Sequence, residues 1–277
     1  MSSVHTFKDM RIWIPVATSM PISSEFKSGN LTVRVFQSKL ELGSAAARQA
    51  GPILERRIRE ASRARIILSA ANSQLEMIDA LASLSGLDWR AVEVFHVDEY
   101  VGLAASHPAS FRHWVKTRFA DRVNPGAVHY LAGDASDLDG ECRRYAALLR
   151  AMPIDIAFLG FGENGHIGFN DPHEANFADP YAVRRVTLDE RCRQQQVGEG
   201  HFPDLASVPR EAMTLTCPTL VSASHIICCV PDRRKAEAVK NALEGPVTPA
   251  CPGSIVRTHA QACLYLDRES ASLLAAR

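Results

Sequence analysis

No apolar run in this chain reaches membrane-spanning length, and the short run from Ile12 to Ala17 lacks the basic start and long apolar middle of a signal peptide. A surplus of charge is also missing. Lys+Arg and Asp+Glu are 31 each, for a formal net charge of zero. That excludes a basic surface covering the whole molecule, so no nucleic-acid partner is expected, and any anionic ligand has to be small and met by a local pocket. The seven cysteines are odd in number and none forms a C-x-x-C pair, so neither a zinc ribbon nor a dithiol redox site is encoded. Cys228 and Cys229 sit in an apolar strand pattern, where a free thiol behaves as a small hydrophobe. Reduced thiols and a cytoplasmic location are the expectation. A G-x-S-x-G nucleophile elbow, internal repeats and low-complexity tracts are absent as well.

What is present is 46% apolar residues over 277 positions, enough for a sizeable core. Residues 1–30 show no periodicity and are expected to lie as an extension on the main domain. Alternation over residues 31–36 predicts a strand, and helix formers with helical apolar spacing follow from Ser38 to Ala61. Short β-branched or apolar runs predict further strands at 65–70, 92–97, 128–131, 154–159, 212–216, 226–230 and 263–266. Helical patterns stand at 74–81, 111–119, 138–152 and 233–243. The alternation of strand and helix predicts an α/β fold with a mostly parallel sheet and right-handed crossovers. The polar stretch 174–210 reads as loops around one short helix, in the manner of a flap. One α/β domain over 31–277 is the economical division.

The richest segment is Phe158–Pro172, a buried strand that runs into Gly160, Gly162, Glu163, Asn164, Gly165, His166, Gly168, Asn170 and Asp171. Glycines at a strand end permit tight turns and close approach to a ligand. Asp98 and Glu99 close another strand, and in a parallel sheet such C-terminal ends share one edge. A carboxylate near a histidine suits proton transfer at a carbon beside a carbonyl. The plainer alternative is that Asp98 and Glu99 cap a helix while His166 and Asp171 only close a turn. A metal held by His166, Asp171 and His173, or by His96 beside Asp98, is a rival chemistry, but these residues fit no compact ligand motif. Asn72 and Ser73 offer a cap to the helix after the 65–70 strand, a place where exposed amides can take an anion.

The segments Phe95–Leu103 and Gly162–Pro172 resemble, in order, the two signature motifs of glucosamine-6-phosphate deaminases, also called isomerases. Arg234–Val239 with Leu243–Gly245 is similar to that family's third marker. The resemblance runs from about Leu31 to the C-terminus. It implies a Rossmann-like three-layer α/β/α sandwich that converts an amino-sugar phosphate into fructose 6-phosphate and ammonia. No organic cofactor is implied, because the substrate's own amine becomes the imine that is hydrolysed; that no metal is expected rests on the ligand spacing alone. Carried over by position, Asp98 is the base, His166 assists ring opening, and Asp171 stands where the family has a glutamate orienting the histidine. Lys235 matches the phosphate-contacting lysine. Family members are often trimers or hexamers, which leaves a homo-oligomer as an expectation.

Three departures accompany the match. Asn164 replaces an aspartate, with Glu163 beside it as a source of charge. The first β-α loop, usually glycine-rich, reads Leu68–Gln74 here, so Ser69, Ala70, Asn72, Ser73 and Gln74 are expected to rebuild the anion site. An arginine of the family aligns with Gln196, with Arg191 and Arg193 as substitutes nearby. Glu99, Gly162 and Gly165 complete the expected substrate-binding set. A 6-phosphogluconolactonase shares the fold and a glycine-histidine loop but not the Asp98–Leu103 or Phe169–Pro172 patterns, and ranks second. A non-catalytic sugar-phosphate sensor is third.

Overall fold

The structure is a computed structural model that describes residues 22–275. Its centre is an eight-stranded sheet. In chain order the strands and helices leading to it are β1 (Ser24–Ser28), β2 (Leu31–Phe36), α1 (Lys39–Ala61), β3 (Ala64–Leu68), α2 (Leu75–Ala82), β4 (Val92–His96) and β5 (Asp98–Tyr100). Next come α3 (Phe111–Val115), α4 (Asp121–Val123), β6 (Ala127–His129), α5 (Leu138–Arg150) and β7 (Ile156–Leu159). The chain continues through β8 (Val183–Thr187), α6 (Glu190–Gly198), β9 (Glu211–Leu215) and α7 (Cys217–Leu220). It closes with β10 (His225–Val230), α8 (Ala236–Glu244) and β11 (Ala262–Asp267).

The sheet order is β1-β2-β11-β10-β7-β3-β4-β6. All neighbours from β2 to β6 are parallel, and only β1 pairs antiparallel, at the edge. The strands at its centre are buried on both faces, which is why they read as continuous apolar runs. Ile66 and Leu68 pack into the layer of α1 and α2, whereas Ile67 points into the layer of α5 and α8. The result is the three-layer α/β/α sandwich expected from the sequence. Each fully buried Ile or Leu contributes roughly 1.5–3 kcal/mol to holding the layers together.

Several elements differ from the sequence reading. Residues 1–21 of the expected extension lie outside the described residues, but Ser24–Ser28 is a strand of the main sheet, paired from Ser24↔Val35 to Ser28↔Leu31. Residues 98–100 and 183–187 are also strands, and with β9 they form a second, antiparallel sheet in the order β5-β9-β8. The stretch 174–210 therefore holds a strand as well as a helix. The second sheet clamps the segment carrying Asp98 against the rest of the molecule: Asp98 pairs with Thr214, and the Leu215 N–H donates to the Val97 carbonyl at 2.9 Å.

Candidate active site

Four neighbouring strands, β10, β7, β3 and β4, send their C-terminal ends to one edge of the sheet. The turns that follow supply Lys235, the Gly160–His166 segment, the Ser69–Gln74 loop and Asp98. All four contribute to one cavity, which Ser69, Ala70, Ser73, Gln74, Asp98, Gly162, His166, Gln196 and Lys235 line. The chain's crossover order places β7, a late strand, beside β3, an early one. A crevice of this kind is where ligands bind in open α/β sheets.

Asp98 and Glu99 are adjacent in sequence and separate in role. The Asp98 side chain lines the cavity and is almost wholly buried. Burial, and then the Glu99 charge, push its carboxyl well above the usual carboxylate range, against a modest opposing pull from the Phe169 N–H. Glu99 faces the other way, fully buried. It accepts from Ser110 Oγ at 2.6 Å, from the N–H groups of Tyr100, Phe111 and Arg112, and from Arg112 Nε at 3.2 Å. Burial still raises its carboxyl despite these donors. The helix-capping alternative thus describes Glu99, which ties down the start of α3, and not Asp98.

His166 is 8% exposed and rises into the cavity from the turn after β7. Gly162 is required beneath it: a Cβ there would lie 2.1 Å from His166 Cε1. Gly168 adopts φ +55, and a Cβ would come 2.5 Å from Val97 Cγ1, beside Asp98. His166 Nδ1 stands 3.1 Å from Asp171 Oδ1, at ion-pair distance but without the alignment of a good hydrogen bond. Asp171 is fully buried. Burial pushes its carboxyl up, but His166, the Asn164 amide and the Asp189 N–H together hold it below the usual range.

Asn164 is the bracket of this turn. Its Oδ1 accepts from the His166 N–H at 3.0 Å, and its Nδ2 donates to Asp171 Oδ1 at 2.9 Å and Asp189 Oδ2 at 3.1 Å. The carboxylates that Asn164 engages are therefore Asp171 and Asp189, not the adjacent Glu163. Glu163 turns away, with Oε1 3.8 Å from Arg234 Nε.

The remaining expected residues divide. The Gln196 Oε1 accepts from Tyr100 Oη at 2.8 Å while the residue lines the cavity. Arg191 is exposed and outside the lining, 3.4 Å from Glu237, and Arg193 is spent on the carbonyls of Leu205 and Val208. The Asn72 amide donates to the Glu199 carbonyl at 3.1 Å, outside the lining. Gly165 takes φ +85 in the turn, away from the cavity. Sequence reasoning missed Phe161, Phe169, Gln195, Glu199 and His201, all of which line it. Glu199 pairs with Lys235 at 3.8 Å. A glutamate in a polar stretch carries no sequence signal of such burial.

The rival ligands His166, Asp171 and His173 do not come together as one group among the described residues. His96 is fully buried, with Nδ1 donating to the Asp98 carbonyl and Nε2 accepting from the Leu131 N–H, both at 2.9 Å. Burial lowers its pKa to about 4, so it is a neutral structural imidazole. Ligand atoms of His166, Asp171 and Cys192 do lie within 4.8 Å of one another, as do those of Asp171, His173 and Asp189. Asp171 is common to both groups and is already engaged by Asn164 Nδ2 and the Asp189 N–H. No helix among the described residues is long and apolar enough to cross a membrane.

The sequence and the fold are similar to those of known proteins. A sequence profile for glucosamine-6-phosphate isomerases/6-phosphogluconolactonase matches residues 37–265. A glucosamine-6-phosphate deaminase from Arthrobacter sp. (strain FB24) is 32% identical over 250 residues, covering 88% of this chain and 93% of the relative. Glucosamine-6-phosphate deaminase 1 of Bacillus subtilis (strain 168) is 35% identical over 196 residues, 70% of this chain and 79% of its own. Among solved structures, a monomeric glucosamine-6-phosphate deaminase superposes with a TM-score of 0.79 at 32% identity, over 87% of this chain and 99% of the other. A 6-phosphogluconolactonase from Shewanella baltica OS155 shares the fold at a TM-score of 0.70, with 17% identity, over 85% and 96% of the two chains. The chain belongs to the glucosamine-6-phosphate isomerase/6-phosphogluconolactonase family.

Proposed function

We propose that this chain is an amino-sugar-phosphate deaminase that converts glucosamine 6-phosphate, or a close analogue, and water into fructose 6-phosphate and ammonia. The observation that carries the reading is that Asp98 and His166 line one cavity, with His166 backed by Asp171. The deaminase relatives at 32–35% identity favour it over the lactonase, whose likeness is one of fold.

In the proposed cycle His166, supported by Asp171, moves the proton that opens the sugar ring. Asp98 then takes the proton from C2, leaving an enolamine, and returns it to C1. C1 becomes a hydroxymethyl group and C2 an imine, and water adds to C2 to release ammonia and form the ketone. The cavity's buried position of Asp98 supports this role. A carboxyl held above its usual range is a stronger base once ionised, and the substrate's ammonium, drawn close, favours that ionised form. At the other end Lys235, only 2% exposed, and Ser73 are proposed to face the phosphate.

Ammonia release from glucosamine 6-phosphate, set against hydrolysis of 6-phosphogluconolactone, tests the assignment. Asp98→Asn is expected to lower kcat by at least about 10³-fold, in the range of lost general-base catalysis, with binding retained. Substantial turnover by that variant would sink Asp98 as the base. The acidic limb of the pH profile should lie above that of an ordinary carboxylate, because the free enzyme binds the Asp98 proton more tightly.

A further inference from the structure

Lys235 follows β10 and Asp98 follows β4, with β7 and β3 between them. Three inter-strand spacings, roughly 14 Å, thus separate the backbones from which the two charged side chains reach into the cavity. Lys235 is the only lysine or arginine lining it among the described residues. Its ammonium is already answered from within: Glu199 Oε1 lies 3.8 Å away. The Glu199 carboxylate is itself buried, 3% exposed, and lines the same cavity. Gln195 Nε2 donates to it at 2.9 Å, Arg234 stands at 3.5 Å and His201 Nε2 at 3.5 Å. Burial alone pushes its carboxyl up, but His201, Lys235 and Arg234 hold it down at about 2, so it is charged throughout the neutral range.

We propose that Glu199 is a specificity-determining residue: its carboxylate, set against Lys235, weakens recognition of a phosphate at the far end of the sugar. The chain then discriminates less between a phosphorylated amino sugar and its C6-hydroxyl counterpart than Lys235 alone would allow. This rests on the deaminase reading and names the part of the substrate that the site reads weakly. A phosphate dianion approaching Lys235 meets a like charge inside a low-dielectric cavity, or has to push it from its partners. A hydroxyl meets no such barrier. It can donate to Glu199, and the cavity offers a second acceptor, since Gln74 lines it with a buried Oε1 that has no donor. Gln196, tied to Tyr100, adds no positive charge.

The test is Glu199→Gln, which keeps the side-chain shape and removes the charge. Kinetics with glucosamine 6-phosphate and with glucosamine are measured in parallel, together with the Tm shift produced by inorganic phosphate. The variant is expected to raise the kcat/KM ratio of phosphorylated to unphosphorylated sugar at least tenfold, through a lower KM for the phosphorylated one. Inorganic phosphate should also raise its Tm by more than it raises that of the native chain. An unchanged or smaller ratio, with equal phosphate shifts, overturns the proposal. Should neither sugar release ammonia, the deaminase reading fails, and the phosphate shifts alone still decide the role of Glu199. Glu199→Asp draws the charge back from Lys235 and is expected to give a smaller effect in the same direction, which serves as the test if the glutamine variant does not fold.

Discussion

Single residues in this site are told apart by where burial sends them. Asp98 and Glu99 share a strand and a carboxyl group, yet one opens to the cavity and the other is closed over by Ser110 and Arg112. Alternation along a strand points neighbouring side chains to opposite faces, so the DE pair cannot supply two groups to one pocket. Gly162 is the other residue whose identity is dictated by contact. Any Cβ at this position would occupy the space of the His166 ring, 2.1 Å from Cε1. Gly162→Ala is expected to displace the imidazole by about 1 Å and cut kcat/KM by about 10²-fold, the cost typical of such misplacement. A crystal structure or the histidine NMR shifts would report the displacement directly; native activity with an unmoved ring would contradict it. Asp98, His166 and Asp171 were legible because they stand in long motifs at strand ends. Asp189 and Glu199 were not, because a lone carboxylate in a polar segment looks like any solvated one, and only the folded chain brings them to Asn164 and Lys235.

At the level of elements, the long helices and the central strands could be read because their periodicity is set by burial on one or both sides. The strands that escaped are short or at an edge. Ser24–Ser28 has one aromatic, the partly buried Phe26, between exposed Ser24, Glu25 and Lys27 and a buried Ser28, and β8 places Val183 and Val186 inward around two arginines. Their hydrogen bonds to β2 and β9, not their own composition, make them strands. The wall of the cavity depends on a closer contact, where α1 crosses α2, the helix that follows the Asn72–Gln74 turn. A Cβ at Gly43 would lie 2.6 Å from the backbone of Glu76 and Met77. Gly43→Ala therefore has to push α2 outward. It is expected to lower unfolding stability by about 1–3 kcal/mol, as overpacking does, and to raise KM by shifting the Ser73–Gln74 turn. Equilibrium denaturation and steady-state kinetics on one preparation would check both. A stabilised variant, as a plain gain in helix propensity would give, would show that the crossing is loose.

For the molecule as a whole, the fold followed from the order of elements, while the position of the site followed from one topological fact, the insertion of β7 next to β3. Keeping the proposed base at that junction has a thermodynamic consequence. Asp98 is buried beside Glu99 without a cationic partner among its influences, and its folded-state pKa lies well above the unfolded value. Below the unfolded pKa the carboxyl is neutral in both states and costs the fold nothing. As pH rises toward the folded pKa, the unfolded chain releases the proton and the folded chain keeps it, so the native state progressively loses stability. Asparagine at this position has nearly the same shape and cannot ionise. Asp98→Asn is thus expected to be more stable than the native chain at pH 8, by about 1–2 kcal/mol, the size of gain seen when a strained functional group is relieved. That gap should narrow as pH falls toward the unfolded value near 4. Paired urea titrations of the two proteins at pH 8, 6 and 4.5 would measure it. A constant gap across the series, or a native chain more stable than the variant at pH 8, would show that Asp98 is held comfortably as a carboxylate and would remove the electrostatic argument for its role as base.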